Sequence, residues 1–471
     1  MNGDGLEDLY IGGAKESAGK LFMQTTAGTF KSANEAAFEA AKISEDVGAA
    51  FFDADGDGDL DLYVVSGGNE YAPQAPALLD RLYINNGKGD FKQSANSLPE
   101  FSASGSCVAP ADFDGDGDQD LFVGSRSIPW EYGLTPTSYL LENDGRGKFS
   151  IATEKYAPEL ASVGMVTDAA WIDYDKDRDL DLVVVGEWMP VTLFQNTGKR
   201  LVNITGKAGL GKTHGWWNCV TVEDLNKDGQ MDFVAGNLGE NSKIKASEAE
   251  PASIYLADFD INGTLDPILC YYKLGKSYPL PLRPDLLNQL PFLKQKFPTH
   301  AGYAGKQITE IFTEKQLSKA VVKEAYTFAT SVFYGHADGT FQQQPLPVAA
   351  QFSPVYAIMA KDFDADGAKD LLLAGNFHGL NPQLGRYDAS YGALFRTATF
   401  KSRSSNELVA NSHSKTENSA GSFTFVPMRN SGLSLTGQIR DMVSLQYRNK
   451  PEVIIFAVNN ERIQVYEMRG E

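Results

Sequence analysis

One short acidic pattern, D-x-[DN]-x-[DN]-x-x-x-D, recurs six times in this chain, and it restricts the possible folds more than any other feature. The complete copies are DADGDGDLD (53–61), DFDGDGDQD (112–120), DYDKDRDLD (173–181), DLNKDGQMD (224–232), DFDINGTLD (258–266) and DFDADGAKD (362–370). Each follows an apolar run such as VGAAFF or CVTVE and leads into a β-rich run such as LYVVSGG, LFVGS or LVVVGEW. That is strand, tight loop, strand. A second hairpin with a Gly-rich turn comes next, as in LYINNGKGDFKQ and YLLENDGRGKFSI. Four strands per unit, at a spacing of roughly fifty to sixty residues in the first half, predict propeller blades.

The expected fold is therefore all-β, a propeller of seven (alternatively eight) four-stranded blades forming one domain over 1–471. The regular spacing fails in the middle. The motifs at Asp224 and Asp258 stand 34 residues apart, too close for four strands, and the following gap of 104 residues holds RPDLLNQLPFLKQKF and ITEIFTEKQLSKAVVKEA. Both read as helices, so a helical insertion is expected at about 282–325 within one blade. The fifth unit is then a half blade or is fused to the sixth. The last unit, from Thr436, keeps its strands but has lost the carboxylates. The opening MNGDGLEDL matches the motif from its third position, with Asn2, Asp4 and Asp8 at positions 3, 5 and 9. An N-terminally truncated repeat is expected from this, lacking roughly 15–25 residues, or two short strands.

The motif itself is a cation site. Side chains at positions 1, 3, 5 and 9 bring four oxygens around one point, and a backbone carbonyl at 7 with a water completes a six- or seven-oxygen shell. That suits calcium and is looser than magnesium prefers. The ligands expected are Asp53, Asp55, Asp57 and Asp61; Asp112, Asp114, Asp116 and Asp120; Asp173, Asp175, Asp177 and Asp181. The later copies supply Asp224, Asn226, Asp228 and Asp232; Asp258, Asp260, Asn262 and Asp266; Asp362, Asp364, Asp366 and Asp370. Position 6 is glycine except at Arg178, where distortion of the loop is expected. Nothing bistable accompanies the loops, so they read as structural staples holding several calcium ions rather than as a sensor.

Composition agrees. The formal charge is −19, and six divalent ions would cancel twelve of those charges. An acidic surface of this size excludes nucleic acid and anionic membrane as partners. Cys107, Cys219 and Cys270 lie in apolar strand-like runs and suggest packing, not a disulfide framework. No apolar run reaches transmembrane length, so no membrane insertion of this segment is expected.

With the Asp loops, hairpins and spacing in hand, the chain resembles the FG-GAP/VCBS repeat proteins, whose propellers include the integrin α head and cartilage acidic protein. GNLGENSKIKAS, the helical insertion and LGRYDASYG make it most similar to the large VCBS-repeat proteins of Bacteroidetes. The resemblance implies a calcium-stabilised propeller that is extracellular or on the bacterial cell surface, usually without an assigned enzymatic activity.

If the Asp loops join first to second strands, the loops leaving the second strands lie at the other end. Those loops read GGNEYAP, SRSIPWEYG, GEWMPV and THGWWN, and a further one carries His378. The candidate ligand-binding residues are Tyr71, Arg126, Trp130, Glu187, Trp188, Trp216, Trp217 and His378. Aromatic rings stack on sugar faces or apolar side chains while polar groups fix orientation, which suits a glycan or an extracellular protein. No GxSxG, HExxH, P-loop or CxxC constellation is present, and no catalytic residue is assigned. A binding and adhesion module is the expected function. The alternative is a calcium-dependent polysaccharide lyase or hydrolase using the same aromatic rim.

Overall fold

The computed structural model describes residues 1–101, 103–381, 384–397, 422–448 and 450–468. The strands among them form eight antiparallel sheets, six of four or more strands and the first and last of three. The second sheet shows the basic plan. Glu45–Phe52, Asp61–Gly67, Arg81–Ile84 and Lys92–Gln93 pair in chain order, each with the next. The third sheet repeats it with Ser104–Ala111, Asp120–Ser127, Tyr139–Glu142 and Ser150–Ile151. In the fourth, Met165–Ile172, Asp181–Met189, Thr192–Asn196 and Leu201–Asn203 follow the same order, and Gly215–Trp216 pairs with the second strand as well.

Second strands are continuous apolar runs rather than alternating ones, because both of their faces are covered. Asp61–Gly67 and Asp181–Met189 are buried at every position. Neighbouring sheets pack face to face: Tyr63, Val65 and Leu82 of the second meet Leu121, Val123 and Leu141 of the third. Each fully buried side chain of this size contributes about 1.5–3 kcal/mol, so this sheet-to-sheet packing is the main stabilising term in each unit.

The chain divides into two compact units, one of Met1–Asn218 with Ser242–Phe328 and the other of Cys219–Asn241 with Ala329–Glu471. The short spacing and the long gap near this division have one cause. The fifth sheet begins with Cys219–Glu223 and Asp232–Gly236, and Ser331–Gly335 and Phe341–Pro345 complete it about a hundred residues later. A whole sheet is nested in the interval. The fifth unit is thus neither a half blade nor fused to the sixth; it is complete but interrupted.

The nested sixth sheet has strands Ala252–Ala257, Asp266–Lys273, Lys276–Pro279 and Val321–Ala325. Its fourth strand returns to lie beside the first, the Greek-key order. Five short helices, from Arg283–Gln289 to Glu314–Leu317, fill the crossover, with Leu286, Leu290, Leu293 and Ile311 packing on Phe259, Ile268 and Cys270. The span expected to be a helical insertion, 282–325, therefore holds helices only as far as Leu317 and ends in a strand. Val321 and Val322 are β-branched, and the free edge of Ala252–Ala257 supplies the ladder partners for VVKEA. This last strand packs against Asp181–Met189 and Gly215–Trp216 of the fourth sheet.

Candidate functional site

Every Asp turn links the first two strands of its sheet, so the link from second to third strand leaves from the other end. The turns share one backbone. The position-6 N–H donates to the position-1 carboxylate, from Gly58 to Asp53 at 3.0 Å, Gly229 to Asp224 at 3.0 Å and Gly367 to Asp362 at 2.8 Å. Position 6 lies at positive φ throughout, +89° at Gly58 and +77° at Arg178. Arg178 takes the glycine conformation despite its Cβ, a cost of about 1–2 kcal/mol. Among the described residues its turn lacks the bond from position 6 to position 1 that the other five make, so the loop at Asp173 is the weaker one.

Position 9 does more than ligation requires. Asp61 is buried and accepts the N–H of Ala54 at 2.9 Å on one oxygen and of Asn85 at 2.7 Å on the other. Asp181 does the same with Tyr174 and Asn196, tying turn to third strand. The Asn at the end of that strand then reaches the previous sheet: Asn143 Nδ2 donates to Ala54 O at 2.9 Å and Asn196 Nδ2 to Phe113 O at 2.7 Å. These asparagines were legible in INNG, ENDG and QNTG, but their role depends on contacts between sheets.

Carboxylates crowd together within 4.8 Å at Asp53, Asp55 and Asp57; Asp112, Asp114 and Asp120; Asp173, Asp175 and Asp181; Asp258, Asp260 and Asp266; and Asp362, Asp364 and Asp370. Burial, together with the neighbouring negative charges, raises Asp61 to about 6, Asp181 to about 7 and Asp120 to about 8, against the backbone hydrogen bonds that pull them down. One oxygen each of Asp55, Asp114, Asp120, Asp173, Asp224, Asp260 and Asp362 is buried with no hydrogen-bond partner among the described residues. Oxygen-only donors, excess negative charge and orphaned acceptors fit a hard divalent cation in several turns. Asp59 and Asp118, at position 7, also carry a buried orphaned oxygen, although only a backbone carbonyl was expected from that position.

At the opposite end of the fourth sheet, four of the candidate residues, Arg126, Glu187, Trp188 and Trp216, form one connected group with Tyr132. Arg126 Nε donates to Glu187 Oε1 at 3.1 Å, and the Tyr132 hydroxyl to Glu187 Oε2 at 2.6 Å. Trp188 Nε1 donates to Tyr132 Oη at 3.1 Å, and its ring meets Trp216 edge-on at 4.9 Å. Trp188 holds φ +60°, a strained backbone that aims its side chain. The other candidates stand apart. Trp217 is fully buried with its indole N–H on Thr213 O at 2.9 Å, so it is packing and presents no surface to a ligand. Trp130, 64% exposed, is hooked onto Asn69 by its backbone and indole N–H groups. Tyr71 lies under Lys15, 4.8 Å from ring centre to Nζ. His378 is in the second unit, its backbone N–H on Gln438 Oε1.

Trp188 also walls a cavity of about 390 Å³ in the first unit, together with Thr135, Val163, Pro190, His214 and residues 322–324 and 326. Lys323 Nζ donates to Thr135 Oγ1 at 2.8 Å. Burial pulls its ammonium down to about 8, with Glu187 opposing. Glu324 accepts the Tyr326 hydroxyl at 3.0 Å, and the His214 ring lies 4.9 Å from that of Tyr326. Burial lowers the His214 imidazole, whose Nδ1 is buried with no partner among the described residues. Lys323, Glu324 and Tyr326 escaped the sequence reading because their stretch was taken as helix. The β-branched pair in VVKEAY was the available signal.

The FG-GAP-like repeat family model matches residues 1–64, 64–123 and 173–235. No curated protein matches. Among solved structures, the Vibrio cholerae biofilm matrix protein Bap1 is 11% identical over 99% of this chain and 86% of its own, with a TM-score of 0.37. Saccharomyces cerevisiae Sqt1 is 10% identical over 100% and 95%, with a TM-score of 0.41. The Bacillus licheniformis rhamnogalacturonan lyase PL11 is 12% identical over 99% and 75%, with a TM-score of 0.32.

Proposed function

Because this chain is an FG-GAP repeat protein, we propose that it is a calcium-stabilised β-propeller, extracellular or on a bacterial cell surface, that binds a glycan or protein ligand. In this reading the eight sheets among the described residues are blades, which favours eight over seven. Calcium in the Asp turns stabilises the ionised form of carboxylates that burial and mutual repulsion otherwise disfavour, and so holds first and second strands together. Ligand is taken at the other end, where Arg126, Tyr132, Glu187, Trp188 and Trp216 are already connected.

The observation carrying the binding role is the 390 Å³ cavity beside that group, whose volume falls in the range of small-molecule sites, roughly 300–1,000 Å³. The test is a screen of immobilised glycans and extracellular proteins with the full chain in calcium, run beside Thr135→Trp, which fills the cavity. Binding lost in the variant at an unchanged melting temperature supports the assignment; binding that survives moves the site elsewhere.

One observation favours catalysis as a second reading: Glu324, Tyr326 and His214, groups capable of acid–base work, converge in one cavity. New reducing ends released from a polysaccharide by the wild type, and not by His214→Ala, would make this protein a lyase or hydrolase.

A further inference from the structure

We propose that the Lys323 cavity is a subsite for a hexuronate, a sugar residue bearing one carboxylate, with Lys323 as its counter-ion and Glu324, His214 and Tyr326 meeting its hydroxyls. This rests on the binding reading above and narrows it to a chemical class.

Lys323 arrives from far along the chain. The Greek-key return of the nested sheet sets Val321–Ala325 against the fourth sheet, and so places an ammonium in a wall otherwise made by Trp188, Pro190 and His214. Of its three donors, Thr135 Oγ1 takes one. No carboxylate among the described residues lies within 4.0 Å of it, although the chain has 61 acidic residues against 42 basic. The nearby acids are committed elsewhere, Glu187 to Arg126 and Tyr132 and Glu324 to Tyr326. A half-buried ammonium left with one neutral partner is stabilised by an incoming anion.

The size of that anion's charge follows from the wall. With His214 neutral, Lys323 is the one cation in this wall and Glu324 the one carboxylate, so the ammonium can pair with a single negative charge, whereas the second charge of a phosphate or sulfate dianion meets Glu324 with no further cation. Sugar chemistry fits the remainder. The Glu324 carboxylate accepts hydroxyl protons, the orphaned His214 Nδ1 takes or gives one hydrogen bond, and Val163, Pro190 and Val322 supply apolar lining. An acidic peptide supplies the carboxylate but leaves these hydroxyl-directed groups unused.

The test uses the full chain in calcium and short oligosaccharides of galacturonate, glucuronate and mannuronate, each beside its methyl ester. Esterification removes the charge and keeps the ring. One acid is expected to bind at least about tenfold more tightly than its ester, and Lys323→Met to abolish that preference while ester affinity and melting temperature hold. Equal binding of acid and ester, a preference that survives Lys323→Met, or no binding by any of the three acids overturns the inference. So does stronger binding by a tri-glutamate peptide, which makes the partner acidic protein. Failure of the binding reading itself is a separate result: the broad screen would then yield no ligand of any class for the cavity.

Discussion

The Asp turns and the Lys323 cavity sit at opposite ends of the fourth sheet and are made in opposite ways. A turn is nine consecutive residues, and nearly all its contacts lie within those nine or with the adjoining strand end. The cavity draws on Thr135, Val163, Trp188, His214 and Lys323, which meet only after the third, fourth and sixth sheets have packed. The turns crowd carboxylates in a way that could hold a metal ion. The cavity is close to neutral, with one ammonium that no carboxylate among the described residues contacts. Local elements of the first kind can be copied from sheet to sheet without loss, whereas a site of the second kind is formed once. Perturbing the turns should therefore change stability, and perturbing the cavity should change binding.

The largest expected effect is removal of calcium. Binding to the folded state alone stabilises by about 2.7 kcal/mol per site at a hundredfold excess over Kd, and several turns fit the ion. Melting measured in calcium and in EGTA should differ by more than about ten degrees. Coincident curves would remove the staple role and with it one side of the comparison.

Next come the tryptophans, which separate packing from surface. Trp217→Ala is expected to cost about 3–5 kcal/mol, since it truncates a fully enclosed ring. Trp130→Ala, at an exposed position, keeps the backbone N–H on Asn69 and should cost within about 0.5 kcal/mol apart from the lost indole hydrogen bond to Asn69 O. Urea denaturation of both reads the difference, and equal costs would show that Trp130 is buried in solution by something else.

How much of this was legible beforehand follows the same division. The six turns, their strands and their carboxylates were readable because ligand spacing lies within nine residues and recurs. The split of the fifth sheet was not, because 34 residues between motifs fit either a half blade or the start of a nested sheet, and pairing of Asp232–Gly236 with Ser331–Gly335 is a long-range fact. Arg126, Glu187, Trp188 and Trp216 were expected in loops, since loop position is inferred from strand order, but they lie in the strands Asp120–Ser127, Asp181–Met189 and Gly215–Trp216, with Glu187 and Trp188 buried. Trp217 came with them because the tandem in GWWN does not show which ring turns inward. Lys323 was missed because the short helices before it carried the assignment across a strand of five residues.

A sharper test of the turns is Asp120→Asn, which keeps the acceptor for the Asn143 N–H and removes the charge. Burial first, then Asp114, Asp118 and Asp116, holds the metal-free carboxyl at about 8 against about 3.9 unfolded. A raised folded value means the charged form costs stability above about pH 4, increasingly up to about pH 8. At pH 7 the variant should thus be more stable than wild type in EGTA and less stable in calcium, each by on the order of 1 kcal/mol. The same sign in both buffers would show that Asp120 serves only as a hydrogen-bond acceptor.

The smallest effect is the pH dependence of the cavity, and it isolates one group. Lys323 stands at about 8 in the fold against about 10.4 unfolded. The fold disfavours the ammonium, so Lys323 lowers stability below about pH 8, and that cost fades as pH rises from about 8 to 10.4. Ligand binding runs the other way, because an anion needs the ammonium. The acidic groups facing it are Glu187 on Asp181–Met189 and Glu324 beside it. Burial lowers His214, which stays neutral, and burial with Glu324 raises Tyr326, which keeps its proton. Lys323 is then the group that titrates. The acid-to-ester affinity ratio should be flat from pH 6.5 to about 7.5 and fall by up to about tenfold per pH unit above about 8. Lys323→Arg keeps its charge across the range, so its ratio should stay level to pH 9.5. A wild-type ratio that does not fall, or an arginine variant that falls in parallel, would place the anion-binding charge on another residue.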